Sequence, residues 1–374
     1  MSQICRMTEN LGEFQTVVDT ALNKLGDDNI IARIWQHDHT VWKPSSEEIA
    51  NRLGWLTIPE MMQENVEEIN AVTSDIRSRG YTHALLMGMG GSSLAPEVLC
   101  KTFGVKDGYL DLTVLDSTDP AVVQALAKRL DPKHTLYIVS TKSGTTTETL
   151  SFFNHNDILA ADTLGSDNAG GHFIAITDPA TPLVDMADKY HFLKTFINEP
   201  TIGGRYSALS YFGLVPAALI GMDIDLFLKR AMAMVDHCKS PGNCGARLGV
   251  ILGETARSGR DKATFVISRR LERFGDWVEQ LLAESTGKPG RGIVPVVDEH
   301  IGFPGQYSAD RLFVHITIND DETYDDRIRD LEKKGHPVVH VNLDDRYDLA
   351  GQFFLWEMAT SVAGHILGIN PFDQ

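Results

Sequence analysis

The chain has 374 residues and a formal net charge of −17, from 34 Lys and Arg against 51 Asp and Glu. This length predicts two or three domains with a substantial core. The acidic balance and the lack of a basic cluster argue against nucleic acid and anionic membranes as partners. The N-terminus lacks a signal-like apolar region, and no apolar run approaches the ~20 residues of a spanning helix, which predicts a cytoplasmic protein.

Residues 1–75 are expected to form a helical N-terminal segment. Apolar residues recur at helical spacing in residues 14–25 and 59–76, and no strand pattern interrupts them. Pro59 suits the first turn of the second of these helices.

From about residue 80, short apolar runs alternate with amphipathic stretches, which is the βαβ signature of a parallel, doubly wound sheet flanked by helices. A long apolar helix at residues 207–222, with a kink expected at Pro216, divides this region. We therefore predict one α/β domain at residues 76–222 and a second at 223–374. The predicted strands are 84–87, 112–115, 136–139, 173–176 and 192–195 in the first domain and 263–267, 293–297, 312–317 and 338–341 in the second, which ends in a helix at 349–367.

Two loops of the first domain are rich in glycine and hydroxyl side chains, and each follows a predicted strand and precedes a helix. Residues 88–93 read Gly-Met-Gly-Gly-Ser-Ser, and residues 141–149 read Thr-Lys-Ser-Gly-Thr-Thr-Thr-Glu-Thr. Such a turn directs backbone N–H groups and hydroxyls at one point, with the positive end of a helix behind them. The sequence therefore predicts a phosphate-binding site at the carboxyl ends of two strands.

Two further segments carry side chains suited to catalysis. Glu284 lies where a helix beginning near residue 269 should end. The negative end of the helix dipole disfavours the charged form of a carboxylate, so the group accepts a proton more readily, which suits a general base. Arg205 follows paired glycines, which allow the backbone to approach a ligand while the guanidinium stabilises negative charge. By position alone, an exposed and solvated side chain is the simpler interpretation of either residue.

The cysteines and one histidine pair are interpreted as structural. The four cysteines are too few and too scattered for a disulfide framework or a zinc site, so they are expected to be unlinked thiols. The His-Asp-His segment at residues 37–39 has no apparent third ligand, and its spacing does not place both histidines on one helix face. The cysteines are Cys5, Cys100, Cys238 and Cys244.

Taken together, these segments resemble the phosphoglucose isomerase family. The second loop is similar to the family's S-K-S-G-T-T-T-E-T signature, and the first loop is similar to its G-I-G-G-S pattern. Residues 203–207 match G-G-R-[FY]-S, residues 284–288 match E-S-x-G-K, and residues 368–374 match G-I-N-P-F-D-Q. The motifs occur in the family's order over roughly residues 80–374. The N-terminal part looks more like the isomerase portion of bifunctional transaldolase–phosphoglucose isomerase proteins.

The resemblance implies two sugar isomerase (SIS) domains and interconversion of glucose 6-phosphate and fructose 6-phosphate through a cis-enediolate. It also implies a homodimer that needs no metal or organic cofactor. Glu284 would move the proton between C1 and C2, and Arg205 would stabilise the enediolate. The residues implied to hold the phosphate are Ser92, Thr141, Ser143, Thr146 and Thr149, with the backbone of Gly91 and Lys142, and those implied to line the sugar site are Gly204, Gln280 and Gln374.

The chain departs from the family in the residue that opens the sugar ring. Longer family members place a histidine in a G-Q-H segment after the base, but this chain reads Gly-Gln-Tyr at residues 305–307. His300, His315 and His336 are alternatives, and nothing in the sequence selects one of them.

A second departure concerns a lysine that follows F-D-Q in the family and reaches the sugar site. The sequence as given ends at Gln374, before that position. We therefore expect a retained fold and phosphate site with weak or absent isomerase activity, unless another lysine occupies the place. Lys142 and Lys288 are the lysines already present in the site motifs.

Two other functions fit parts of the sequence. The G-x-G at residues 88–90 and Asp116 at the end of the next strand are typical of dinucleotide-binding dehydrogenases, but Ser93 replaces the third glycine of that fingerprint. That interpretation also leaves the loop at 141–149 without a role. The other alternative is a non-catalytic phosphosugar-binding SIS protein or an inactive, truncated isomerase.

Overall fold

The computed structural model describes residues 5–373 of the chain. It divides into two compact units. The central unit is Thr57–Asp225, and the terminal unit combines the described residues up to Leu56 with those from Leu226 onward. The boundary predicted at residue 222 lies close to the end of the central unit, but the N-terminal segment does not stand alone, because its residues are shared between the two units.

The helices and strands alternate along most of the chain. The strands are β1 (Arg6–Asn10), β2 (His83–Met87), β3 (Asp111–Leu115), β4 (Thr135–Ser140), β5 (Phe173–Thr177), β6 (Lys194–Ile197), β7 (Lys262–Ile267), β8 (Val294–Val296), β9 (Arg311–Ile318) and β10 (Val338–Leu343). The α-helices are α1 (Gln15–Asp27), α2 (Ile30–Trp35), α3 (Ile58–Glu64), α4 (Val66–Ser78), α5 (Gly91–Phe103), α6 (Pro120–Arg129), α7 (Thr147–Leu164), α8 (Ser166–Ala169), α9 (Pro182–Lys189), α10 (Tyr211–Leu219), α11 (Ile224–Cys238), α12 (Cys244–Arg257), α13 (Phe274–Thr286), α14 (Asp325–Lys333) and α15 (Leu349–Leu367).

The central unit is built on a five-stranded parallel sheet in the order β3-β2-β4-β5-β6. β4 and β5 are buried along their whole length, as parallel strands covered by helices on both faces require. The first four predicted strands of this unit are confirmed to within one residue. The predicted fold class, a doubly wound α/β sheet flanked by helices, is therefore confirmed.

An aromatic core fixes α7 on this sheet. Tyr137 of β4 stacks on Phe173 of β5 with ring centroids 4.8 Å apart, and Phe153 of α7 meets Phe173 edge-on at 5.4 Å. All three side chains are buried. Each such pair contributes about 0.5–1.5 kcal/mol beyond the burial of its area. Both ends of the loop between β4 and α7 are therefore held by packed elements.

The fifth strand of the central sheet begins later than predicted. The apolar run at residues 192–195 predicts a strand there, whereas β6 is Lys194–Ile197. Phe192 stacks on Phe173 at 5.3 Å and contacts Phe153 at 5.5 Å. This side chain packs into the aromatic core instead of joining the sheet ladder.

The terminal unit contains a second five-stranded sheet, in the order β1-β10-β9-β7-β8. Its strands are parallel except β1, which pairs antiparallel with β10 and places Met7 opposite Val341. β1 corrects the sequence analysis, which expects no strand before residue 75. Its five residues are mostly polar, and long-range pairing at a sheet edge decides their conformation more than local pattern does.

α12 and α15 approach each other closely because three glycines of α12 face α15. An added Cβ at Gly253 would lie 2.7 Å from Ile366, and one at Gly245 would lie 2.9 Å from Met358. Gly249, between them, would meet the Ala359 carbonyl and Val362. α15 coincides with the helix predicted at 349–367 and is buried along almost its full length.

The helices predicted near the N-terminus are present, but the second is divided. The stretch at 59–76 forms α3 and α4, which meet at Asn65. The Asn65 amide donates to the Met61 carbonyl at 2.8 Å, a side-chain bond that competes with helix continuation. None of the described helices is long and apolar enough to cross a bilayer.

A disulfide joins Cys5 to Cys244, which corrects the expectation of four unlinked cysteines. β1 lies against α12, where the Arg247 guanidinium donates to the Glu9 carboxylate at 2.7 Å. This contact brings Cys5 beside the first residue of α12. The two cysteines are 239 residues apart in sequence, so no spacing pattern in the sequence predicts this disulfide.

Candidate active site

The order of strands in the central sheet creates a crevice between β2 and β4. β3 lies on one side of β2, whereas β4 and β5 follow on the other. At such a switch point the connections leave opposite faces, and ligands bind outside the carboxyl ends of the strands. Met87 and Val139 are paired at these ends. The Ser140 hydroxyl donates to the Ser92 carbonyl at 3.2 Å, which ties the two hydroxyl-rich loops together.

The first loop turns sharply into α5. Gly90 precedes the helix with a φ of 55°, in the left-handed region that favours glycine. The Ser93 hydroxyl donates to the Gly90 carbonyl at 3.1 Å. The Ser92 hydroxyl has no hydrogen-bond partner within residues 5–373, and its side chain is largely buried. Of the two serines, Ser92 is therefore the one whose hydroxyl is available to a ligand.

Gly91 allows the G-G-R-Y-S segment to lie directly against the start of α5. A Cβ at Gly91 would overlap the Gly204 carbonyl and lie 3.2 Å from the Arg205 nitrogen. Residues Gly204–Tyr206 form a 3-10 helix in which the Arg205 side chain is buried, with only 4% exposure. The structure thus brings three predicted site residues into one backbone contact at the edge of the crevice.

The second loop presents its hydroxyls at the N-terminus of α7. Thr141 Oγ1 and Thr146 Oγ1 are 2.8 Å apart. Thr146 is the N-cap residue, but its side chain makes no capping bond to the helix. Ser143 Oγ accepts from the Thr145 N–H at 3.2 Å and from its hydroxyl at 2.9 Å. The N–H groups of an uncapped first turn are donors for an anion.

Thr149 lies one turn further into α7, and its surroundings are unusual. The side chain is fully buried, and Oγ1 has no hydrogen-bond partner among the described residues. Buried hydroxyls are normally satisfied, so a group without a protein partner calls for an explanation such as a bound ligand.

Lys142 is held by an aspartate that the sequence analysis misses. Its ammonium pairs with the Asp178 carboxylate and donates to the Pro200 carbonyl at 3.3 Å. Asp178 directly follows β5, at the same edge of the sheet as the two loops. That position after a neighbouring strand is the signal that could have found it. The Lys142 side chain is thus engaged within the protein, which leaves its backbone for the implied phosphate contact.

In the terminal unit, Glu284 lies in the last turn of α13, and its side chain is exposed. Gln280, one turn earlier, donates from Nε2 to Glu284 Oε1 at 2.8 Å. The Lys288 ammonium donates to the Glu284 carbonyl at 3.2 Å and pairs with Asp373. The E-S-x-G-K and F-D-Q motifs therefore contact each other. Gln374 lies outside the described residues.

The three histidines considered for ring opening differ in environment. His300 is exposed. His315 lies on β9 with 3% exposure, and burial lowers the pKa of its imidazole to about 4. Burial also lowers the pKa of His336, which contacts the Pro304 carbonyl at 3.3 Å. Two of the three are therefore buried residues whose surroundings favour the neutral imidazole.

In the segment at residues 37–39, Asp38 caps a short 3-10 turn, which fits the structural role expected of this segment. The Asp38 carboxylate accepts from the Thr40 N–H at 2.9 Å and from Arg33 at 2.8 Å. Hydrogen bonds from the Thr40 hydroxyl and from Arg33 lower the pKa of Asp38 to about 2. The side chain of this aspartate therefore stabilises the local fold.

Comparison with known proteins identifies the family. The family described as "Phosphoglucose isomerase" matches residues 56–297, a span that includes both hydroxyl-rich loops, Arg205 and Glu284. The chain belongs to the phosphoglucose isomerase family. A glucose-6-phosphate isomerase of Rubrobacter xylanophilus is 28% identical over 86% of this chain and 85% of its own length. One from Staphylococcus saprophyticus is 26% identical over 86% and 83%, respectively.

Solved structures agree with this phosphoglucose isomerase assignment at the level of the fold. A hypothetical protein of Thermus thermophilus has a TM-score of 0.84 and 23% identity, over 99% of this chain and 96% of its own. A glucose-6-phosphate isomerase of Chlamydia trachomatis has a TM-score of 0.83 and 18% identity, over 98% and 85%. The tagatose-6-phosphate ketose/aldose isomerase of Escherichia coli is more distant, with a TM-score of 0.56 and 13% identity over 86% and 95%.

Proposed function

We propose that this chain is a glucose-6-phosphate isomerase, which interconverts D-glucose 6-phosphate and D-fructose 6-phosphate through a cis-enediolate. The observation that carries the proposal is the crevice between β2 and β4, where two hydroxyl-rich turns meet at the N-termini of α5 and α7. The relatives that share the family are named for the same reaction. The family match also covers the segments that carry Arg205 and Glu284.

The phosphate is assigned to the crevice of the central unit. The buried Thr149 hydroxyl has no partner in the described chain. The Ser92 side chain is largely buried at the start of α5, and Thr141 lies beside Thr146 at the start of α7. Charge-assisted hydrogen bonds from hydroxyls and backbone N–H groups are stronger than neutral ones. The net charge of −17 opposes anion binding at long range, so these local donors must hold the substrate.

Proton transfer is assigned to Glu284. Its carboxylate takes the proton from C2 of the aldose and returns it to C1, which forms the ketose through the enediolate. Gln280 donates to one carboxylate oxygen at 2.8 Å, and this bond restricts the orientation of the carboxylate. A base held in position transfers the proton within the enzyme–substrate complex and does not have to meet the substrate by diffusion.

Stabilisation of the enediolate is assigned to Arg205. Its guanidinium is largely buried, and a cation in a partly desolvated site interacts more strongly with developing negative charge than one in water. The contact between Gly91 and Gly204 fixes the backbone that carries it. The sugar is assigned to Gly204, Gln280 and Gln374.

A coupled assay tests the proposed function. The chain is mixed with fructose 6-phosphate, glucose-6-phosphate dehydrogenase and NADP, and formation of NADPH is followed. Sustained NADPH formation that depends on the chain supports an isomerase. If fructose 6-phosphate binds but no NADPH forms, the protein is the non-catalytic phosphosugar-binding alternative.

We also propose a cytoplasmic homodimer, which rests on the family resemblance. Light scattering at micromolar concentration should give twice the mass of one chain. A mass of one chain under those conditions would contradict the dimer.

A further inference from the structure

The terminal unit holds two cysteine side chains and an imidazole close together, outside the candidate active site. One ligand atom each of Cys5, His237 and Cys244 lies within 4.8 Å of the other two. Cys5 directly precedes β1, His237 is in the last turn of α11, and Cys244 is the first residue of α12. The motifs of the isomerase site include none of the three residues.

We infer that Cys5 and Cys244 form a reversible thiol–disulfide pair that exchanges with small-molecule disulfides such as glutathione disulfide. The two sulfurs are already joined in the structure, so the fold brings them within bonding reach. Cys244 begins a helix of fourteen residues, where the positive end of the dipole favours a thiolate. His237 Nε2 accepts from the Cys244 N–H at 3.1 Å, which holds the imidazole beside the sulfur.

The solvent exposure of the two cysteines indicates which of them reacts first. Cys244 is partly exposed, whereas Cys5 is 8% exposed. Cys244 is therefore the thiol that an external disulfide reaches, and Cys5 is the resolving thiol.

The remaining cysteines lie in surroundings that suppress reactivity. Burial raises the pKa of the Cys238 thiol to about 12, and burial also raises the pKa of Cys100. Both residues are free thiols. A thiol is a nucleophile only in its ionised form, so these two serve as internal controls.

The exchange balances in two steps. The Cys244 thiolate attacks one sulfur of glutathione disulfide, which forms a mixed disulfide and releases one glutathione thiolate. The Cys5 thiolate then attacks the Cys244 sulfur, which forms the intrachain disulfide and releases the second glutathione. The two protein thiols lose two electrons and two protons, and the two released glutathione thiolates take up those protons through solvent.

The disulfide links an edge strand to a core helix. β1 is also held by its ladder with β10, by the Arg247 contact with Glu9 and by the ion pair of Arg6 with Asp344. Since α12 packs on α15 through its glycine face, the covalent link anchors the N-terminal strand to the centre of the terminal unit. Reduction should therefore release one anchor without removing the sheet pairing.

Thiol trapping and peptide mass spectrometry on the full chain test the inference. The protein is reduced, freed of reductant, exposed to glutathione disulfide and quenched with an alkylating reagent. We expect a Cys5–Cys244 disulfide in the wild type and in Cys100→Ser, and a stable glutathione adduct on Cys244 in Cys5→Ser. In the reduced wild type, Cys244 should be alkylated at least ten times faster than Cys100 or Cys238. The His237→Asn variant should form the disulfide more slowly and still fold.

Three results would overturn the inference. One is a reduced wild type that gains neither a disulfide nor an adduct under these conditions. The second is a Cys5–Cys244 bond in the folded protein that excess glutathione cannot reduce. The third is a reduced protein that takes up one Zn²⁺ per chain and then resists oxidation, which would make the three residues a metal site instead.

Discussion

At the scale of single residues, Thr149 has a hydroxyl that the protein leaves unsatisfied. The side chain is fully buried, and Oγ1 has no partner in the part of the chain that the structure describes. A buried hydroxyl without a hydrogen bond costs about 1–3 kcal/mol, so retention of this group requires a compensating function. A phosphate oxygen supplied by the substrate satisfies that requirement.

Replacing Thr149 with valine keeps the shape and removes the hydroxyl. If Oγ1 donates to the phosphate, KM for fructose 6-phosphate should rise about 10- to 100-fold, because a hydrogen bond to a charged group is worth about 1.5–3 kcal/mol. The unfolding midpoint should stay the same or increase. Thr163→Val, near the other end of α7, is the matched control, because the Thr163 hydroxyl donates only to its own helix at 2.8 Å. Equal KM values for the two variants would remove Thr149 from the site.

Glu357 is a second buried polar residue, but it belongs to the core. The side chain lies on α15 with no exposure, and both carboxylate oxygens lack partners among the described residues. Burial raises the pKa of Glu357 well above its usual range. The unfolded chain therefore releases this proton at a lower pH than the folded protein does.

The raised pKa of Glu357 predicts a stability that falls as pH rises. Below the unfolded-state pKa, about 4.3, both the folded and the unfolded states hold the proton, so Glu357 does not make the free energy of unfolding depend on pH. Above it the unfolded state loses the proton first, so the free energy of unfolding decreases until the folded pKa is reached. Glu357→Gln removes this pH dependence. The free energy of unfolding of the variant, relative to that of the wild type, should therefore be larger at pH 8 than at pH 5. Urea denaturation at both pH values measures the difference, and a pH-independent difference would contradict the prediction.

At the scale of elements, the central unit follows closely from its sequence. Its strands are continuous apolar runs such as Leu136 to Val139, and its loops carry glycine and hydroxyl residues at the strand ends. Local sequence patterns therefore predict the positions of both the strands and the loops. The contact of Gly91 with Gly204 and the pairing of Lys142 with Asp178 were not predictable, because each joins segments that are distant in sequence. β1 and its disulfide were missed for the same reason.

Gly91→Ala tests the contact between α5 and the Arg205 turn. The added Cβ would overlap the Gly204 carbonyl, so one of the two segments must move. Strain of this kind costs about 1–3 kcal/mol, and displacement of Arg205 should lower kcat/KM by at least about tenfold. Gly171→Ala is the control, since its Cβ would meet no atom within 4 Å. If Gly91→Ala and Gly171→Ala have the same activity and the same unfolding midpoint, the contact between Gly91 and Gly204 does not contribute to activity or stability.

At the scale of the whole molecule, four parallel strands of each sheet share one strand order, but only the central sheet carries the hydroxyl-rich loops. The order β8-β7-β9-β10 in the terminal unit corresponds to β3-β2-β4-β5 in the central unit. After β9, however, the chain reads Asn319-Asp320-Asp321-Glu322. A hydrogen bond from the Thr323 side chain lowers the pKa of Asp321, which favours its charged form, so the acidic segment after β9 should repel a phosphate.

The chain should therefore bind one phosphosugar and not two. Sorbitol 6-phosphate, which lacks the carbonyl needed for isomerisation, is a suitable ligand for calorimetry. We expect one site per chain, weakened in Thr149→Val and unchanged in Asp321→Asn. Two sites of similar affinity would show that the acidic segment after β9 also binds phosphate.

The most direct test of the proposed mechanism follows the proton that the isomerase moves. Fructose 6-phosphate is incubated with the chain in D₂O, and proton NMR monitors the signals of the C1 and C2 hydrogens. The wild type should form glucose 6-phosphate that carries deuterium at C2, and Glu284→Gln should form none while it still binds sorbitol 6-phosphate with an affinity close to that of the wild type. Isomerisation by Glu284→Gln at the wild-type rate, or a wild type that binds the sugar phosphate and exchanges no hydrogen, would contradict the account.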